Sequence, residues 1–214
     1  MIIIPAVFTN NPEELKEKLL LCEDKVERVQ IDIDDGEFLG NKTIIPDILI
    51  GFETPLFLDF HLMVKEPFSW VEKCAQAGAE RIIGQVEVMT SQMEFVAKVQ
   101  EAGLKVGLAL DIKTPVEALD RTVLNDLDLV LLMGYPAGKG GQAFDRSVLK
   151  KVGELVELRK GDITPFRIAV DGGVSEENIR ELAGLGVDEV AVGERLFIGG
   201  EIQENLEILK EKLL

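Results

Sequence analysis

At 214 residues the chain has length for one large domain or two small ones. Its 46% apolar, 29% charged and 6% aromatic content is that of an ordinary globular protein, which excludes disorder, collagen and coiled coil. Thirty-nine acidic residues against 23 basic ones leave a net charge of -16, a field that repels the phosphates of nucleic acid and of anionic membranes, so neither is expected as a partner.

In chain order, Ile2–Phe8 reads as a strand: it lacks the basic start of a signal peptide and meets Pro5 early. Asn11-Pro12 with Glu14 then starts a helix over Pro12–Cys22. A strand over Val26–Ile33, a short helix at Pro46–Ile50 and a strand over Leu56–Val64 follow. A helix over Pro67–Ala77 stops at Gly78, and the strand Arg81–Glu87 comes next. Ser91 with Glu94 opens the helix Ser91–Ala102, closed by Gly103 before the strand Lys105–Leu110. Thr114-Pro115 with Glu117 predicts a helix over Pro115–Thr122, then a strand over Leu127–Met133 and a helix over Asp145–Leu158. The last two units are the strand Phe166–Val170 with helix Ser175–Leu185, stopped by Gly186, and the strand Glu189–Val192 with helix Ile202–Leu213. Eight βα units predict an α/β protein with the (β/α)8 TIM-barrel fold, as one domain over 1–214, because nothing divides the chain. No run approaches the ~18 apolar residues of a membrane span. Cys22 and Cys74 lie in helix-like patterns without metal-ligand spacing, which fits a cytoplasmic setting and excludes a disulfide framework.

Barrel chemistry sits at the C-terminal strand ends. The second strand ends Gln30-Ile31-Asp32-Ile33-Asp34-Asp35-Gly36, and a period of two puts Gln30, Asp32 and Asp34 on one face. An unpaired carboxylate inside a strand is costly, so Asp32 points to function, whereas Asp34 and Asp35 read equally well as a solvated turn. The third strand puts Asp59, His61 and Met63 on one face, with the only histidine of the chain near its end. The seventh strand runs into Asp171-Gly172-Gly173 and the eighth into Gly193-Glu194. Glycines after these two strands are where barrels hold phosphate on backbone N–H groups, which also answers the acidic field. After the sixth strand, Gly138-Lys139-Gly140-Gly141-Gln142 forms a loop with one lysine placed to close over an anion. No Walker spacing or GxGxxG fingerprint occurs, so nucleotide and NAD binding are not indicated.

Together, IDIDDGEF (Ile31–Phe38) with Asn41 and Thr43, DFHLMV (Asp59–Val64), GKGGQ (Gly138–Gln142) before Phe144, VDGG (Val170–Gly173) and Gly193 resemble the ribulose-phosphate 3-epimerase family over almost the whole chain. The resemblance implies a metal-dependent isomerase of carbohydrate metabolism and the pentose phosphate pathway, converting D-ribulose 5-phosphate to D-xylulose 5-phosphate, or acting on a related ketose phosphate. A divalent metal cation (Mn, Fe, Zn or Mg) stabilises an enediolate while two aspartates exchange the C3 proton from opposite faces. Carried over, the acid/base pair is Asp32 and Asp171, and the metal ligands are Asp32, His61 and Asp171. Phosphate lies near Gly172, Gly173, Gly193 and Glu194, under a lid of Gly138, Gly140, Gly141 and Gln142, with Met63 and Met133 lining the reacting centre. Relatives form homo-oligomers, and one is expected here.

Four positions depart from the family pattern. Its first metal histidine is Gln30, its substrate-contacting serine is Ala6, one lining methionine is Asp34, and the serine after the strand-eight glycine is Glu194. Because Asp34 shares a face with Asp32, it is expected to replace the missing ligand, giving three carboxylates and one imidazole, a set suited to Mn, Mg or Fe more than Zn. The alternative is a diverged, non-catalytic phosphate-binding barrel that has lost the metal site. An aldol or decarboxylation barrel needs an Asp-x-Lys-x-x-Asp array, of which only Asp111-Ile112-Lys113 is present.

Overall fold

The computed structural model describes residues 1–138, 140–160 and 165–213. Strands β1 (Ile2–Val7), β2 (Arg28–Asp34), β3 (Phe57–Met63), β4 (Ala79–Gln85), β5 (Lys105–Leu110), β6 (Leu129–Met133), β7 (Arg167–Asp171) and β8 (Glu189–Val192) each pair in parallel with the next. β8 closes onto β1, with Ile2 opposite Glu189 and Pro5 opposite Val192. Alternation along the strands separates two apolar regions. Outward residues such as Ile31, Ile33, Leu62, Ile82, Leu108 and Val170 are fully buried in the main core, which runs on into the helical layer. A second, smaller cluster fills the barrel interior: Ile83, Ala109, Leu129, Leu131 and Ala169, topped by Met63 and Met133.

The helices are α1 (Pro12–Cys22), α2 (Val71–Gln76), α3 (Gln92–Glu101), α4 (Val148–Arg159), α5 (Ile179–Leu185) and α6 (Ile202–Glu211). Asn11 caps α1 by accepting the N–H groups of Glu13 and Glu14, and Ser91 caps α3 by accepting that of Glu94. Gly78, Gly103 and Gly186 all take positive φ, and the helix stops read from them hold. The segment Pro46–Leu49 is a 3-10 turn, and a second one, Pro67–Trp70, forms the first part of the expected Pro67–Ala77 helix. β4 begins two residues before the expected strand, directly after the left-handed Gly78.

The helix expected over Pro115–Thr122 is corrected to a single 3-10 turn at Val116–Ala118, and Thr114 caps nothing there. The physical reason is competition for its backbone groups. The Gln92 amide donates to the Ala118 carbonyl at 2.7 Å and accepts the Asp120 N–H at 2.8 Å, and the Asp120 carboxylate accepts the Thr122 N–H at 2.9 Å. These local bonds satisfy the groups that a continuing helix would use.

At the N-terminal end of the barrel the interior is ionic. Arg81 of β4, buried at 3% exposure, donates to Asp59 of β3 at 2.5 Å and to Glu189 of β8 at 2.6 Å. Arg28 of β2 pairs with the other Asp59 oxygen, and Arg167 of β7 with Glu189 at 2.8 Å. The inward face of the barrel is therefore charged at the base, apolar in the middle and polar at the mouth.

Candidate active site

The mouth is built from inward residues at the strand ends. Asp32 of β2 lies in register with His61 of β3, and Asp171 ends β7 opposite Met133 of β6. Gln30, two residues below Asp32, donates from Nε2 to Asp32 Oδ1 at 2.8 Å and to Asp171 Oδ2 at 2.7 Å. His61 Nδ1 lies 3.1 Å and 3.5 Å from the same two oxygens. Four polar atoms thus close a ring, and two carboxylates on non-adjacent strands are tied together by an amide and an imidazole. Thr43 fixes the end of β2 by donating to the Asp32 carbonyl and accepting the Asp34 N–H.

The electrostatics follow from this packing. Burial and then the facing Asp171 charge push the Asp32 carboxyl above its ordinary range, against the pull of His61 and Gln30. Burial opposes charge on His61, but hydrogen bonds to Asp171 and Asp32 and their charges outweigh it, and its pKa is pushed up to about 9. Gln85 of β4 places Nε2 at 3.1 Å from His61 Nε2. Its Oε1 is buried without a partner among the described residues, and rotating the amide brings that oxygen to accept from a charged imidazole.

Ligand atoms of Asp32, His61 and Asp171 all lie within 4.8 Å of one another. Two carboxylates and an imidazole form a donor set that suits a divalent cation, and three protein ligands with further positions open is the pattern of catalytic metal sites. The 3.1 and 3.5 Å from His61 Nδ1 to the two carboxylate oxygens lie close to the ~3 Å between adjacent donors of a cation with ~2.1 Å bonds. The residues present therefore fit such an ion.

Asp34, expected as a further ligand, stands outside this group. Its Oδ1 turns away to accept the Gly36 N–H at 2.9 Å, and its Oδ2 is buried without a partner among the described residues. Burial, aided by Asp35, raises its pKa, although the Gly36 bond opposes this. The shared face was read correctly, but the strand ends there and the side chain serves the turn.

Above the ring opens a cavity of about 630 Å³. Asp32 and Asp171 form its floor, and Met63, Met133, Gly138, Gly140, Gly141, Gln142, Gly172, Gly173, Gly193 and Glu194 all line it. Three cations among the described residues also line it, and each pairs with an acid: Lys18 with Glu14, Arg146 with Glu181 and Arg195 with Glu176. The β2 and β6 loops meet over the mouth, where Asn41 donates to the Gly138 carbonyl and Leu39 packs against Gly138. Lys139, read as a lysine closing over an anion, lies outside the described residues. The approach of the β6 and β7 loops demands Gly134, since a Cβ there would stand 2.1 Å from the Gly172 carbonyl oxygen.

Two mouth residues escaped the sequence reading. Gln85 is inward by its period-two spacing from Arg81 and Ile83, a signal present but unused. Tyr135, the only tyrosine, lines the cavity from an irregular loop where no periodicity points to it. Among the described residues no helix is long and apolar enough to cross a membrane.

The model of the ribulose-phosphate 3-epimerase family matches residues 2–197. The chain is 36% identical over 173 residues to ribulose-phosphate 3-epimerase of Bacillus subtilis, covering 79% of each chain. It is 34% identical over 200 residues to that of Synechocystis, covering 91% of this chain and 85% of the relative. Among solved structures it resembles KGPDC from Streptococcus mutans in complex with D-R5P, with TM-score 0.74 at 13% identity over 99% of this chain and 96% of the other. It also resembles phosphoribosyl anthranilate isomerase of Thermus thermophilus, with TM-score 0.63 at 17% identity over 100% and 98%. At such identities the two structures attest the barrel alone.

Proposed function

The chain belongs to the ribulose-phosphate 3-epimerase family, carbohydrate epimerases, and from that premise we propose that it inverts C3 of a ketose phosphate, D-ribulose 5-phosphate or a near relative, by proton transfer between Asp32 and Asp171. The observation that carries this reading is the pair of aspartates held by Gln30 and His61 under one cavity.

Inversion through a planar intermediate needs a base on one face of the carbon and an acid on the other. Asp32, whose carboxyl is raised by burial and by the opposing charge, holds the delivered proton. Asp171 removes the C3 proton, and in the reverse direction the roles exchange. Gln30 donates to one oxygen of each carboxylate, so the remaining oxygens stay available to the substrate. Asp32, His61 and Asp171 would hold a divalent cation, which supplies Lewis-acid stabilisation for the oxyanion that develops as C3 loses its proton. Met63 and Met133 keep water from the reacting carbon. Backbone N–H groups at Gly172, Gly173, Gly193 and Glu194 receive the phosphate, which spares an acidic protein the need for a cluster of free cations.

The test is proton NMR of D-ribulose 5-phosphate in D2O with the purified protein, with and without chelator. Loss of the C3 proton signal with appearance of the xylulose epimer, stopped in Asp171→Asn, is the expected result. No exchange in the presence of added Mn, Fe or Zn would leave a diverged phosphate-binding barrel instead.

A further inference from the structure

Tyr135 is held in the cavity by close packing. Its ring lies across Gly172, so closely that a Cβ on that residue would stand 2.9 to 3.0 Å from Cε1, Cδ1 and Cζ. Gly172, at φ +107, joins Asp171 to Gly173, so the ring spans the step from the reacting centre to the glycines proposed to receive phosphate. Glu194 and Asp32 line the same cavity. Burial first, and then the charges of Asp171, Asp32 and Glu194, push the phenol pKa far up, so the hydroxyl keeps its proton. A phenol in that state is a hydrogen-bond donor that also accepts, and it is no base. Half-buried tyrosines normally find a partner for the hydroxyl, yet among the described residues this one has none.

We propose that the Tyr135 hydroxyl is a specificity-determining group that binds the substrate carbinol lying between the inverted carbon and the phosphate, the C4 hydroxyl of a pentulose phosphate. This rests on the proposed epimerase reading. The phenol donates to the C4 oxygen, while the nearby carboxylates suit the hydroxyl proton. Tyr135 touches no atom that changes bonding, so its contribution falls in binding.

The experiment compares wild type and Tyr135→Phe, which keeps the ring over Gly172, on D-ribulose 5-phosphate and on D-erythrulose 4-phosphate. The second substrate retains the exchangeable C3 proton and the phosphate but lacks the extra carbinol. Loss of one neutral hydrogen bond predicts that kcat/KM on the pentulose falls about 3- to 10-fold, mostly through KM, with the tetrulose within twofold of wild type. Equal losses on both substrates, or no loss on either, would overturn this role while leaving the epimerase reading intact. A wild type inert toward both would sink the two together. Equal melting temperatures in the two proteins exclude misfolding as the source of the difference.

Discussion

Replacing Arg81 with methionine removes one guanidinium and leaves two carboxylates at the barrel base, Asp59 at 0% and Glu189 at 1% exposure. Breaking a buried ion pair from one side costs roughly 3–5 kcal/mol. Arg28 and Arg167 remain to pair with the same acids, so the low end, about 3 kcal/mol, is expected. For a chain of this length that is roughly 6–12 °C of Tm. The pH dependence carries a sign. Burial raises the Glu189 pKa, but Arg81 and Arg167 overcome it and hold the carboxyl below its ordinary value. Its stabilisation is therefore present above the unfolded pKa and is lost as pH falls through the folded one. Without Arg81 both carboxyls rise and are relieved by protonation, so the gap to wild type narrows on acidification. Urea unfolding followed by circular dichroism at pH 7.5 and pH 5 measures both effects. A deficit below about 1 kcal/mol at pH 7.5, or a gap that widens at pH 5, would refute the reasoning.

Further outcomes are expected at the mouth. In Gly134→Ala the new Cβ meets the Gly172 carbonyl, two backbones that cannot both yield, so stability falls by about 2–3 kcal/mol; an unchanged thermal melt would contradict the close approach. With His61 charged up to about pH 9, divalent metal binding releases close to one proton at pH 7, and affinity rises roughly tenfold per pH unit below that point. Titration calorimetry in buffers of different ionisation enthalpy reads this, and a pH-independent affinity would overturn it. The same raised pKa gives the metal-free protein stability that is full below about pH 6.5 and lost as pH rises through about 9, visible as a falling Tm over that interval. Asp34→Met removes a buried carboxylate oxygen that lacks a partner among the described residues, a relief of about 1–3 kcal/mol, together with the acceptor of the Gly36 N–H, a loss of about 1 kcal/mol, so a net gain of about 1 kcal/mol is expected at pH 7 in chemical denaturation. A net loss would mean that the turn bond to Gly36 outweighs relief of the unpartnered oxygen.

Much of this architecture is legible in the residues because barrel strands impose a strict period. Asp32, His61 and Asp171 stand out by their places near strand ends, the family resemblance groups them as ligands, and the structure brings their ligand atoms together. Local patterns that compete with tertiary bonds were read less well: Thr114-Pro115-x-Glu117 looks like a helix start, but the Gln92 side chain takes the backbone groups that it needs. Gln30 was read as a missing ligand, while its amide in fact bridges two carboxylates. No sequence spacing reveals that bridge, since Asp171 is 141 residues away in the chain. Asp34 failed for a related reason: alternation gives a side chain its face but not the turn that redirects its last atoms.

The ionic base of the barrel reaches further than its own strength. Ala169 is level with Glu189, and Asp171 stands two residues above it, a rise of ~7 Å. Arg81 of β4 ties β3 to β8 across the interior, and those same strands carry His61 and lead into Gly193 at the mouth above. Replacing the base with apolar side chains would leave the relative height of these strands to packing alone, so the geometry of the mouth is anchored at the opposite end of the barrel.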